Sequence, residues 1–390
     1  MSLDGGFGLF AVADDLSGAA ETALALSMRG TRSVVLLAPR PHPADVVVVD
    51  LDTRAQRPAL AARAVADALA HVRPGDRVFK KIDSLLRGNV AAEVGALTEA
   101  GYGVVLTPAL PVARRTVTAG VPHVDGLPLH ETDAWRAERA APPRSVASVL
   151  ALAPVLSLGL DEVRGPGLAE TFAEVAGTER IAVCDTETDA DLDAIALAAA
   201  RTSPGLALAG SGGLAAAVGR ARTAGSAEPA SSVAPAGSVL IVVGTAEPVA
   251  AEQVSLLDGF TVHSLPATGL AEGPVPIPPI SGPSVLRVDP DNGVDPDQGR
   301  AVSEGLAATV ASLPGPMDLV LIGGETARRV LDALGVDMLE PLDQIHHGAV
   351  RSRMPGGGTV VTRPGSFGGP DSLLRIVRAL RAPETERQFL

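Results

Sequence analysis

One local grammar recurs along this chain and narrows the fold more than any other feature. An apolar, β-branched run ends in a polar or glycine turn, and an alanine- and leucine-rich stretch follows. "GLFAVADDLSGAAETALALSMRG" (8–30), "ADVVVVDLDTRAQRPALAARAVADALA" (44–70) and "RVFKKIDSLLRGNVAAEVGALTEAG" (77–101) obey it, and "GVVLTPALP" comes close behind. So do "GLALAGSGGLAAAVGRA" (205–221), "SVLIVVGTAEPVAAEQVSLL" (238–257), "DLVLIGGETARRVLDALG" (318–335) and "GTVVTRPGSFGGPDSLLRIVRAL" (358–380). Near-continuous apolar strands alternating with helices predict an α/β protein with mainly parallel sheets flanked by helices. Ligands in such folds bind beyond the carboxyl ends of the strands, where these turns fall.

The grammar breaks at "TAGSAEPASSVAPAGS" (223–238), which reads as a linker. The expected organisation is therefore a domain over 1–225, a linker over 226–238 and a second domain over 239–390, both domains of ordinary size. A proline-rich stretch, "AEGPVPIPPISGPSVLRVDPDNGVDPDQG", reads as an irregular excursion within the second half. Aromatics are only 2% of the chain, so its cores must be built from Ala, Val and Leu. No apolar run approaches the roughly 20 residues that span a bilayer, and "MSLDGGFGLF" does not read as a secretory signal. The single cysteine, Cys184, excludes an internal disulfide and a cysteine-based zinc site, and "RIAVCDTETD" makes it a buried strand residue. These features point to the cytoplasm. A net charge of -13 argues against nucleic acid and anionic membranes, but leaves room for a small anionic ligand in a local field.

Lys80 and Lys81 are the only lysines among 32 basic residues, the others being arginine. They end an apolar run, and "KKIDSLLRGN" adds Asp83, Ser84, Arg87, Gly88 and Asn89. Lysine offers a compact point charge where arginine offers a rigid fork. Strand side chains alternate, so one lysine is expected to face a site, while the other could pair with Asp83. A cation, a carboxylate, a hydroxyl and an arginine in one turn suit a hydroxylated acid. Arg87 can grip a carboxylate and Asp83 can hold hydroxyls. In "AVADDLSG", either Asp14 or Asp15 suffices to cap the following helix, which leaves the second carboxylate free for a proton or a substrate hydroxyl. Asp50, Asp52, Thr53 and Arg54 end another strand, and Arg114, Arg115 and Thr116 follow a proline-stiffened turn. Neither group stands out alone.

The second half replaces charge clusters with glycine turns: Gly323-Gly324-Glu325-Thr326, then Gly365, Ser366, Gly368 and Gly369, and a turn at Thr245. Glycine lets a backbone approach closely, and helix N-termini favour phosphate. Three such turns after parallel strands predict a nucleotide pocket. Neither a P-loop signature nor a G-x-G-x-x-G after a strand is present. His346 and His347 are adjacent, a poor spacing for joint metal ligands, and read as loop histidines.

"ADDLSGAAETA", "DLDTRA", "KKIDSLLRGNV", "TPALPVARRTVTAG" with "VDGLPLHET", "GSGGLA", "GGETARRVL" and "TRPGSFGGPDSLL" occur in this order. Together, over about residues 8 to 380, they resemble the four-carbon acid sugar kinase family, which phosphorylates threonate, erythronate or 3-oxo-tetronate. The resemblance implies a sugar-acid-binding N-terminal domain, an ATP-binding C-terminal domain and an active site in the cleft between them. By motif, Asp14, Asp15, Asp52, Arg54, Lys81, Asp83, Ser84 and Arg87 would surround the acid. Lys81 and Arg87 would carry carboxylate or transition-state charge, with Asp15 or Asp83 orienting or deprotonating the hydroxyl. Thr245, Gly323, Gly324, Glu325, Thr326, Gly365 and Ser366 would face ATP, and Mg²⁺ would arrive on its phosphates without a dedicated protein site. A homodimer stays open. The sequence departs from the family at Gly244-Thr245-Ala246-Glu247-Pro248, where a serine-bearing turn is usual, and at "LDQIHHGAVRSRM". Arg363 stands where lysine is common. These departures keep two rivals in view, a non-catalytic sensor of sugar acid or nucleotide and an NAD-dependent dehydrogenase.

Overall fold

The computed structural model describes residues 8–27, 31–136, 138, 140–150, 153–222, 238–244, 248–289, 298–315, 317–365 and 367–381. The chain divides into two compact units, Met1–Glu228 and Pro229–Leu390. The segment read as a linker lies outside the described residues up to position 237.

The first unit runs β1 (Leu9–Ala13), α1 (Leu16–Leu26), β2 (Ser33–Leu36), β3 (Val46–Asp50), α2 (Pro58–Leu69), β4 (Arg77–Lys81), α3 (Val90–Glu99) and β5 (Gly103–Thr107). A small antiparallel sheet follows, β6 (Arg115–Thr118), β7 (Val121–Val124) and β8 (Leu127–Pro128). The unit closes with α4 (Val146–Leu150), β9 (Val155–Leu158), α5 (Leu160–Val163), α6 (Leu168–Val175), β10 (Ile181–Cys184), α7 (Asp189–Ala200), β11 (Leu206–Gly210) and α8 (Gly212–Ala221). The main sheet is parallel in the order β2-β3-β1-β4-β11-β5-β10-β9. Every residue of β1 and β3 is buried, as their unbroken "LFAVA" and "VVVVD" require of strands covered on both faces. Right-handed crossovers put α1 on one face and α2 on the other, because the chain moves one way across the sheet from β1 to β2 and the other way from β3 to β4. That reversal falls between β1 and β4, the switch point at which a crevice opens beyond the strand ends. Asp14 and Asp15 leave β1 there, and Lys81 and Asp83 leave β4.

The second unit runs β12 (Val239–Val243), α9 (Pro248–Ser255), β13 (Thr261–Pro266), α10 (Ala267–Glu272), β14 (Ser284–Asp289), α11 (Gly299–Ala311), β15 (Asp318–Ile322), α12 (Gly324–Ala333), β16 (Met338–His346), β17 (Ala349–Arg353), β18 (Thr359–Arg363) and α13 (Ser372–Arg381). Its order is β13-β14-β12-β15-β18-β17-β16, parallel except for the β17 pairings with β16 and β18. The departing segment "LDQIHHGAVRSRM" thus builds most of a hairpin, turned at Gly348 with φ 80°. Ile241, Val320, Val361 and Ile376 pack one core between this sheet and its helices. The reversal here lies between β12 and β15, so Gly244 and Gly323 flank the switch point. No helix of the described residues is long and apolar enough to cross a membrane.

Candidate active site

Two adjacent carboxylates close the end of β1. Asp15 is the N-cap of α1, its Oδ1 accepting the Gly18 N–H at 2.8 Å. Asp14 is buried and takes a two-toothed grip from Arg54, Nε to Oδ2 at 2.8 Å and Nη2 to Oδ1 at 3.0 Å. The remaining arm of Arg54, Nη1, donates to Asp15 Oδ2 at 2.7 Å. Burial alone would push the Asp14 carboxyl up, but Arg54, with Lys80 and Lys81 behind it, holds it below the ordinary carboxylate range. Arg54 is itself raised well above its usual value, since Asp14, Asp15 and Asp83 outweigh the burial that would lower it. Asp52 shapes the turn that aims this arginine: at φ 50° it donates its N–H to Asp50 Oδ1 and accepts Gln56 Nε2 on its carbonyl. Gly88 lets the two turns meet, for at φ 83° a Cβ there would stand 3.0 Å from Asp14 Oδ2.

The two lysines part, as strand alternation requires. Lys80 is fully buried and pairs with the buried Glu93 of α3 at 2.9 Å, while Thr53 donates to the other Glu93 oxygen. Lys80→Met leaves Glu93 charged and unpaired in the interior and is expected to cost about 3–5 kcal/mol in urea unfolding. The double change Lys80→Met/Glu93→Leu should recover most of that loss. A single variant within about 1 kcal/mol of the parent would contradict this account.

Lys81 goes to the other face, towards the carboxylates. A Cβ on Gly18 would meet Asp15 Oδ1 at 2.6 Å and Lys81 Nζ at 3.2 Å, so carboxylate and ammonium converge over that glycine. Among the described residues the only ion pair of Lys81 is a long one, 3.8 Å to Glu21 Oε2, and its side chain keeps 8% exposure. Asp83 meets neither lysine. It takes the Arg87 fork, Nε at 2.9 Å and Nη2 at 2.7 Å, and the N–H groups of Leu85 and Arg87. Burial would raise it, but the Arg87 hydrogen bonds, with Arg54 and Lys81, hold it far below the usual carboxylate range. The arginine expected to grip a substrate carboxylate is therefore closed on its own neighbour. Ser84 Oγ accepts from Arg115 Nη1, and Trp135 Nε1 donates to Leu85 O at 2.9 Å.

The structure thus gathers Asp14, Asp15, Arg54, Lys81, Asp83, Ser84 and Arg87 beyond the ends of β1, β3 and β4. Glu21 and Trp135 join them, neither marked by the turn motifs, whereas Glu93 is buried with Lys80 on the opposite face of β4. Glu21 sits on a helix six residues beyond Asp15, where the turn motifs give no hint. Cys184 is a buried residue of β10, pushed upward by burial and by Asp185.

In the second unit Gly323, at φ 105°, precedes α12, with Gly324, the exposed Glu325 and the buried Thr326 in its first turn. A Cβ on Gly244 would stand 1.9 Å from Thr326 Oγ1, so only glycine permits this approach of the β12 turn to the helix. Gly365 opens the turn after β18. Beneath that turn lies Arg363, fully buried, with Nη1 donating to Phe367 O and to Ser372 Oγ and with Nε and Nη2 unpartnered among the described residues. Burial pushes this guanidinium down to about 10. Ser372 in turn contacts His346 Nε2 at 2.8 Å, and Gln253 Nε2 holds the carbonyls of Gly368 and Gly369. Thr245, Glu247 and Ser366 lie outside the described residues. Glycine cradles above a buried cation with unpaired N–H groups fit a phosphate-bearing nucleotide. Among the described residues no group of three or more His, Cys, Asp or Glu could hold a metal ion.

The model of a sugar-binding N-terminal domain matches residues 9–218, and that of a nucleotide-binding C-terminal domain matches residues 282–373. The two matched models, one on each α/β unit, place the chain among two-domain proteins that pair a sugar-binding with a nucleotide-binding domain. A D-threonate kinase of Cupriavidus necator is 33% identical over 95% of this chain and 98% of its own. A 3-oxo-tetronate kinase of Methylobacterium radiotolerans is 30% identical over 92% of this chain and 96% of its own. A solved Haemophilus influenzae protein shares the fold, with a TM-score of 0.70 at 21% identity over 94% of this chain and 98% of that one. The chain belongs to the four-carbon acid sugar kinase family.

Proposed function

We propose that the first unit binds a four-carbon sugar acid of the threonate, erythronate or 3-oxo-tetronate class and presents one hydroxyl for phosphorylation by ATP held on the second. One observation carries this reading: Asp15 Oδ1 and Lys81 Nζ converge over Gly18 at the switch point of the sheet. A hydroxyl placed there meets a carboxylate that can orient it or take its proton, and an ammonium that can neutralise charge on the arriving phosphoryl. Arg54 and Asp14 form a rigid floor that fixes Asp15. Arg87 and Asp83 do the same for the turn that carries Ser84. When bound, Mg-ATP supplies the phosphoryl group, its ion carried mainly by phosphate oxygens.

The test is ADP release with Mg-ATP across D- and L-threonate, D- and L-erythronate and 3-oxo-tetronate. Turnover on one of them is the expected result. Acid and ATP binding without turnover would instead identify a sensor, and failure to bind any of the five acids would overturn the substrate class.

A further inference from the structure

Arg115 has no role in the reading above, yet its surroundings are those of a ligand contact. It opens β6, in the small sheet that leaves the main one after β5, and its Nη1 reaches back to Ser84 Oγ in the turn after β4. Trp135 fastens the far end of the same excursion to that turn through Leu85 O. The excursion is thereby tied at both ends to the turn after β4, and Arg115 feels the charges of Asp83, Arg87, Asp125 and Glu21. Arg54 is closed on Asp14 and Asp15, and Arg87 on Asp83. Among the described residues Arg115 makes no ion pair, and its Nε is buried with no hydrogen-bond partner. Burial without a paired anion lowers its proton affinity, with Asp83 opposing that shift. A buried N–H on a cation is costly to leave unmade, and an anionic ligand group is one acceptor that would meet it.

We propose that Arg115 binds the carboxylate of the sugar acid, with Ser84 holding the guanidinium in place. This rests on the sugar-acid reading of the site. It divides the substrate between two anchors: the carboxylate lies under the excursion at Arg115, and the reacting hydroxyl lies at Lys81 and Asp15. The spacing of these anchors then selects the length of acid accepted, and a neutral four-carbon alditol is rejected because it leaves the guanidinium unpaired.

The experiment compares the preferred acid with the matching alditol in the full chain and in Arg115→Gln and Arg115→Lys. Calorimetry measures acid affinity, and ADP release measures KM for each ligand. Arg115→Gln should weaken acid binding roughly 10- to 100-fold and shrink the preference for acid over alditol by a similar factor. Its KM for ATP should stay at the parent value. Arg115→Lys, which keeps the charge but loses the planar fork, should fall between the two. An unchanged acid-to-alditol preference in a folded Arg115→Gln would overturn the proposal while leaving the kinase reading intact. A parent chain that binds no sugar acid would overturn both. If Arg115→Gln does not fold, Arg115→Lys decides alone: an acid affinity equal to the parent's counts against the contact.

Discussion

Replacing Lys81 with alanine is expected to lower kcat/KM for the sugar acid by about a thousandfold or more while leaving the fold intact. The size follows from what the ammonium faces. Its one ion pair among the described residues is 3.8 Å long, so its donors remain available to a ligand. Phosphoryl transfer builds charge on the equatorial oxygens, and a positioned cation in a water-poor crevice stabilises that charge far more than it would in bulk water. Stability should change little, because the charge that the interior depends on is Lys80, paired with Glu93 on the opposite face of the strand. Lys81→Arg should fail to rescue. Nζ sits where even a Cβ on Gly18 would come within 3.2 Å, and a planar fork needs more room than that. The measurement is steady-state ADP release, with thermal unfolding as the folding control. A loss below tenfold in Lys81→Ala would remove the lysine from the reacting centre.

What the sequence disclosed and what it withheld divide along physical lines. Strands covered on both faces are written as unbroken apolar runs, so β1, β3 and β12 were readable directly, and the parallel α/β class followed. The turns at their ends were equally visible, because a charged pair after an apolar run breaks the pattern. Partners were another matter. Alternation showed that only one lysine would face the site, but the mate of the other, Glu93, comes from a helix that packs under the sheet. Asp83 was an open candidate for that pairing and instead closes on Arg87, a contact made within its own turn. The hairpin of β16 and β17 was hidden because its residues are mixed in polarity and, along β16, mostly only partly buried. Arg115 could not be placed at all, since its position depends on an excursion folding back over a turn some thirty residues earlier.

Asp15→Asn is expected to lower kcat by roughly 100- to 10,000-fold while acid affinity stays near the parent value. Sequence alone left Asp15 and Asp83 as equal candidates for the base; the hydrogen bonding around each favours Asp15. Asp83 receives four N–H donors, three of them on Oδ2, and its carboxyl is held far below the ordinary range, so it is a poor proton acceptor and a good structural anion. Asp15 receives one donor on each oxygen, Gly18 N and Arg54 Nη1, and its side chain keeps 18% exposure. Each oxygen therefore retains a lone pair for a substrate hydroxyl. Asparagine caps a helix as well as aspartate does, so α1 should persist with Oδ1 on the Gly18 N–H, while the contact with Arg54 Nη1 is lost and Asp14 keeps that arginine in place. Asp83→Asn should behave differently. It disturbs the Arg87 fork and the turn that positions Ser84, so acid affinity and thermal stability should fall together with rate. A burst-free single-turnover experiment on both variants, paired with calorimetry, reads these outcomes separately. If Asp15→Asn turns over like the parent while Asp83→Asn binds acid normally and is inert, the two carboxylates exchange roles. The proton would then have to leave through a carboxylate already held by four donors, which the hydrogen bonding around Asp83 makes the harder route.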